Sequence, residues 1–395
     1  MSSADGESVF GRGKTFRGKG VDDSWKKIQE RTFTNWANDR LRGNLKVAKR
    51  QLKTLEEDLK DGQLLIELVN RLAATEDAQS TQGGKAEGPR GPKSIEKWDK
   101  NPRGKLQCLE NIGMALHFCE LHNIKLVNIG RGDIYDGNMK LILGLLWTLI
   151  GKYQIKISGK GITTKKAMIG WINTVIPEYE VSNFNTDWND GRAVCGMVDR
   201  IRPGLCPNHF ALERSHGLEN CRLGMDLSEQ HLDIPKVLTP EDLNNPEVDD
   251  LSIMTYLSYF CQPYNAVLLQ WIRQKIPHRG IKNLSSDWNN GINLGALTES
   301  CFPGICSDWE AMDPSNAIKN NERMIALIKE RLGINCPVSA AELADPKNDE
   351  IVVATYLHHF RNAKLHNSPE QFSLLMPPRQ AAAPLYRRPS PSKCK

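Results

Sequence analysis

The 395-residue sequence has no apolar run of the length a bilayer crossing needs. Its most apolar stretch, Leu141 to Ile150, falls well short of about 18 to 20 residues and is bracketed by Lys140 and Lys152. No apolar N-terminal segment resembles a secretory signal. The ten cysteines stand singly, with no Cys-x-x-Cys pair and no Cys/His group at zinc spacing. Reduced thiols, no metal site and a cytoplasmic location are therefore expected. A His-Glu-x-x-His motif, a nucleophile elbow and a complete phosphate loop are also missing: in Gly11-Arg-Gly-Lys-Thr15 the first glycine of such a loop would have to stand where Ser8 stands. His358 and His359 are neighbours, and neighbours on a helix point about 100° apart, which is poor chelating geometry. These absences argue against an enzyme and imply no cofactor. The basic residues are not accompanied by an aromatic platform for bases, so nucleic acid is not an expected partner.

What is present is charge, unevenly divided. The net charge of +5 conceals a first 160 residues with 28 Lys+Arg against 20 Asp+Glu, a net of +8. Residues 161–262 carry 8 against 15, a net of −7. An acidic partner would meet the front of the molecule, through an attraction that weakens with salt. The acidic middle could also dock on the basic front and hide part of it, with the Gly-containing segment from Ser158 to Lys166 allowing opening.

Helical periodicity recurs along the chain. Apolar residues at 25, 28, 33, 36 and 37 predict a helix from Trp25 to Asn38, with Ser24 placed to cap it and Lys26, Lys27 and Arg31 off its apolar side. Asp58-Leu-Lys-Asp-Gly62 reads as a turn feeding a second helix. Residues 75–105, rich in Gly, Pro and Lys, read as an exposed loop, and helical spacing resumes from Leu106 to Leu121. From Asn138 to Tyr153 the apolar side chains cover nearly the whole helix circumference, so this segment is either wrapped by its own domain or offered to a partner.

Beyond Gly161 the chain repeats at an offset of 100 residues. Trp171 answers Trp271, Pro177 answers Pro277, and Asp187-Trp-Asn189 answers Asp287-Trp-Asn289. Gly191, Cys206, Asn220, Tyr256 and Phe260 likewise find their own residue type one hundred positions on. Agreement at this density marks an internal duplication. Pro177 and Pro277 are expected to stop the first helix of each unit. Asn245-Pro246 and Asp345-Pro346 are read as the cap and first position of each last helix. The tryptophans at 171, 188, 271 and 288 are read as core. The first unit is a looser third copy, with Trp36 standing where Trp171 and Trp271 stand.

Two runs now carry a resemblance. Gln29-Glu-Arg-Thr-Phe-Thr-Asn-Trp-Ala-Asn38 and Lys125-Leu-Val-Asn-Ile-Gly-Arg-Gly-Asp-Ile-Tyr-Asp-Gly-Asn-Met-Lys-Leu-Ile-Leu-Gly-Leu-Leu-Trp-Thr-Leu-Ile150 resemble the two signatures of tandem calponin-homology actin-binding regions of the filamin type. The resemblance implies an all-α protein of three tandem calponin-homology domains, each a small bundle of four main helices. The expected layout is a basic arm over 1–22, domains over 23–155, 167–262 and 263–362 with a linker over 156–166, and a Pro/Ser/Arg tail over 363–395 in which Ser390 is a candidate phosphorylation site.

The resemblance further implies a cytoskeletal protein binding the side of filamentous actin through its first two domains. Carried onto this sequence, the actin contacts are Lys26, Lys27, Gln29, Arg31, Thr34 and Asn35 on the opening helix. Lys125, Asn128, Lys140, Leu141, Leu145, Trp147 and Lys152 supply them toward the end of the first domain, and Lys165 and Lys166 on the first helix of the second. The third domain lacks both signatures, so its own affinity for actin is expected to be low, and the chain is expected to act as a monomer that decorates filaments. The competing expectation is a non-catalytic scaffold for signalling proteins, microtubules or a phosphoinositide membrane surface.

Overall fold

The computed structural model describes residues 24–42, 51–81, 91–155, 164–345, 348 and 350–363, and among these every regular element is helical. The basic arm, the tail beyond Ala363 and Ser390 lie outside the described residues, as does most of the expected 156–166 linker.

The first domain comprises α1 (Ser24–Leu41), the short α2 (Leu55–Asp58), α3 (Gln63–Thr81), α4 (Lys105–Leu121), α5 (Arg131–Tyr135) and α6 (Met139–Ile150), with a π-helical turn at Gly151–Ile155. The second comprises α7 (Thr164–Val175), α8 (Arg192–Ile201), α9 (Gly217–Leu232), α10 (Pro240–Asn244) and α11 (Asp250–Ser258). The third repeats it as α12 (Cys261–Lys275), α13 (Ile292–Cys301), α14 (Ala317–Leu332), α15 (Ala340–Ala344) and α16 (Glu350–Asn362).

The residues that recur between the domains hold one polar buckle in place. Asn111 is fully buried, and its amide donates to the carbonyls of Asp61 (3.0 Å) and Asp99 (2.8 Å). Asn220 bridges the Asp190 and Glu213 carbonyls at 3.0 and 2.8 Å, and Asn320 those of Asn290 and Asp313 at 2.9 and 2.8 Å. Each buckle needs a glycine beside it. Gly62, Gly191 and Gly291 all have φ between 72° and 76°, and a Cβ on Gly62 would stand 2.6 Å from the Asn111 Cβ. The Asp187 and Asp287 carboxylates accept from the backbone at 182–183 and 282–283, and the indole nitrogens of Trp188 and Trp288 donate to Asn183 and Asn283 at 3.0 Å. The repeat is therefore structural: these residues pin loops to helices where buried backbone groups must find partners.

α6 explains its own composition. It is ringed by α1, α2 and α5, so Ile142, Leu143, Leu145, Leu146, Leu149 and Ile150 are buried, while Leu141 and Trp147 are half-buried and Lys140 is exposed. Trp147 stacks on Phe33 of α1 with ring centroids 6.2 Å apart. The wholly apolar circumference thus belongs mainly to the first domain's own core.

Other expectations need correcting. Asn245 ends α10 instead of starting α11, whose cap is Asp249, a side-chain acceptor for the Ser252 amide at 3.0 Å. The expected loop over 75–105 begins as helix, because α3 continues to Thr81. Residues 164–166, expected as linker, start α7, and the expected boundary at 262/263 falls inside the first turn of α12. Trp171, Trp188 and Trp288 are core as expected, but Trp271 is only half-buried.

Candidate functional site

The face of α1 that the opening signature singles out is turned toward the second domain. α1 and α11 run alongside each other. Near one end the Gln29 amide donates to Asp249 Oδ1 at 3.1 Å, and near the other the Tyr259 hydroxyl donates to Asp39 Oδ2 at 2.9 Å. Between them Arg31 pairs with Asp242, its Nε 3.0 Å from Oδ2, and the Asn35 amide donates to the Val237 carbonyl at 3.2 Å. Arg40 lies over the Tyr259 ring at 5.1 Å. The acidic middle of the chain therefore meets the basic front through named pairs. Asp242 is buried while the Arg31 side chain is 47% exposed, so only half of this ion pair is withdrawn from solvent screening. Burial pushes the Asp249 carboxyl up from its ordinary value, against the hydrogen bonds from Ser252. Beside these contacts lies an open polar cleft of about 550 Å³, lined by Asn35, Asn38, Asp39 and Arg42 on one side and Glu229, Asp233 and Lys236 on the other.

The candidate residues separate into groups. Gln29, Arg31 and Asn35 hold the second domain. Thr34 is buried and donates to its own helix at Glu30. Lys152 pairs with Glu76 at 3.0 Å and Lys165 with Asp250. Leu145 has no exposed surface, because α6 is enclosed by its own domain. Lys26, Lys27, Lys125, Asn128, Lys140 and Lys166 are exposed. By element, Lys140 opens α6, Lys26 and Lys27 open α1, Lys165 and Lys166 open α7, and Lys125 and Asn128 stand in the segment between α4 and α5.

Around that last group the structure adds side chains outside the expected set. Leu106 is 66% exposed and Val127 63%, with Met114 and Leu121 also exposed. Residues 106, 114 and 121 fall within about 80° of one another on a helix, a face of α4 turned to solvent. Arg131, at the start of α5, reaches across α4: a Cβ on Gly113 would lie 3.8 Å from its Cδ. Asn128 is held at φ 56°, in the left-handed region that asparagine tolerates better than most residues. The result is an exposed face that is both apolar and basic, running from α4 through 121–131. In the sequence these residues read as an ordinary helix stripe; their exposure is seen only among the described residues of the structure.

Comparison with known proteins covers most of the chain. The family profile described as "Calponin homology (CH) domain" matches residues 27–155, 162–266 and 263–365. Filamin-A of Drosophila melanogaster is 38% identical over 250 residues, which is 60% of this chain and 10% of that protein. Filamin-C of Rattus norvegicus and of Mus musculus are each 38% identical over 248 residues, 60% of this chain and 8% of theirs. The chain thus spans a tenth or less of the length of these curated relatives. Among solved structures, the actin-crosslinking core of Schizosaccharomyces pombe fimbrin aligns over 84% of this chain and 74% of its own, at 21% identity and a TM-score of 0.43.

Proposed function

The chain belongs to the calponin homology domain family, and from that premise we propose that it binds the side of filamentous actin in the cytoskeleton and is not an enzyme. The observation that carries the reading is the exposed apolar and basic face of the first domain. An acidic filament is attracted by Lys125, Arg131 and Lys140, and the attachment gains its short-range strength by covering Leu106, Met114 and Val127. Leu141 and Trp147 contribute at most their half-exposed edges, and Leu145 acts through the packing beneath. Gln29, Arg31 and Asn35 are available only when the second domain leaves α1. Docking is thus read as two-tiered: the outer face of the first domain engages first, and α1 follows on opening.

High-speed cosedimentation of the full chain with filamentous actin tests this, with microtubules and anionic phosphoinositide vesicles in parallel. Saturable pelleting with actin that weakens as salt rises is expected. Pelleting with microtubules or vesicles, and not with actin, replaces the reading by one of the scaffold alternatives.

A further inference from the structure

α1, α7 and α12 hold the same place in their domains, yet their buried faces differ. Met168 and Ile172 on α7 and Ile176 just after it are buried, as are their counterparts Leu268, Ile272 and Ile276 on and just after α12, so this stripe faces each domain's own core. One step round the helix, Ala167, Trp171 and Val175 are buried as well, whereas Val267 and Trp271 are half-buried and Lys275 is exposed. Something beyond its own domain covers α7.

The cover is the third domain. α16 lies closely alongside α7, and Tyr264 of α12 meets the Trp171 ring edge-on with centroids 5.7 Å apart. Tyr264 is itself buried and bonded to His358 of α16, and Asn265 donates to Glu350 at the start of α16 at 3.3 Å. The arrangement repeats the first junction, where α1 is covered by α11: α1 and α7 are each overlaid by the last helix of the following domain. The junctions differ in how the domains are joined. Only Tyr259 and Phe260 separate α11 from α12, and both have right-handed helical dihedrals, so the second domain runs into the third with no connector. Pro263 lacks the amide that would bond back to the Tyr259 carbonyl, which accounts for the break in what is otherwise one helix.

We propose that the third domain is a fixed cover for α7: the second and third domains move as one body, and α16 withholds α7 from the filament whether or not the first domain has swung away. What α7 is withheld from rests on the actin-binding reading above; the cover itself does not. Separating α16 would expose the Trp171 ring and its neighbours to water, a loss that no surface ion pair offsets. The third domain then restricts filament contact to the first domain.

Hydrogen exchange on the full chain tests this, using wild type, Arg31→Glu and, should that variant misfold, Asn35→Asp. Loosening the first junction should speed amide exchange over 24–41 by about tenfold or more while changing 164–175 by less than about twofold. Added actin filaments should slow exchange within 105–140 and leave 164–175 unchanged. If 164–175 opens together with 24–41, or becomes protected by filaments, the cover is overturned. Failure of any actin binding would remove the function reading alone, because exchange without filaments still decides whether α7 is covered.

Discussion

The two domain junctions share a geometry and differ in chemistry. At the first, α1 lies along α11 through Arg31 and Asp242, Gln29 and Asp249, Asn35 and a backbone carbonyl, and Tyr259 and Asp39. At the second, α7 lies along α16 with Trp171 against Tyr264, and the chain passes from one domain to the next through two helical residues. Polar pairs exchange protein partners for water at small net cost, whereas buried aromatic rings do not. One arrangement of helices can therefore serve as a latch or as a weld, according to which side chains fill it. The −7 second domain and +8 first domain supply the latch; Trp171, Tyr264 and His358 supply the weld.

The largest expected effect lies at the weld. Tyr264→Ala removes a buried ring that touches both Trp171 and His358, and should destabilise the second and third domains together by about 3 to 5 kcal/mol in denaturant unfolding. A loss confined to the third domain would show that the two domains are not welded.

Acid should act next, with opposite signs at the two junctions. Burial, assisted by His359, Arg361 and Arg200, lowers the His358 pKa from 6.5 to about 4. Its neutral form is favoured in the folded state, so its contribution is complete above pH 6.5 and is lost as pH falls toward 4. The loss should amount to about 3 kcal/mol and be absent in His358→Gln. Asp249 works the other way: its carboxyl is pushed up, so protonation as pH falls toward the carboxylate range favours the folded latch. Thermal melts between pH 7 and 4.5 should show the second and third domains weakening together, before the first.

Arg31→Glu sets like charges against the buried Asp242 and should cost the latch about 2 to 4 kcal/mol, expanding the molecule in small-angle scattering without lowering the melting temperature of the second and third domains. An unchanged radius would show that the Arg31 pair does not hold the junction. The smallest effect is that of salt on wild type. Because Arg31 is half-exposed, raising ionic strength should loosen the first junction by less than about 1 kcal/mol and leave the second unmoved.

Much of this was legible in the sequence because the buckles demand particular residues. Asp-Gly at 61–62, 190–191 and the corresponding Asn-Gly at 290–291, with one asparagine each at 111, 220 and 320, can be recognised wherever they recur. The charge asymmetry anticipated the contact between the first two domains. What periodicity could not give was the destination of an apolar face. α6 is apolar all round because three helices of its own domain surround it, and nothing in its spacing distinguishes that from a surface offered outward. For the same reason Trp171 and Trp271, identical in type and register, have different environments: the difference comes from α16, about 180 residues further along the chain than Trp171. The exposed set of Leu106, Met114, Leu121 and Val127 escaped because an ordinary helix stripe looks like core until its exposure among the described residues is seen.

Whether the outer face of the first domain attaches to filaments is decided by cosedimentation of Lys125→Glu/Lys140→Glu with filamentous actin. Both side chains are exposed, so the melting temperature should stay at the wild-type value. The affinity of this variant should be lower by about tenfold or more. Wild-type pelleting by the correctly folded variant would contradict it.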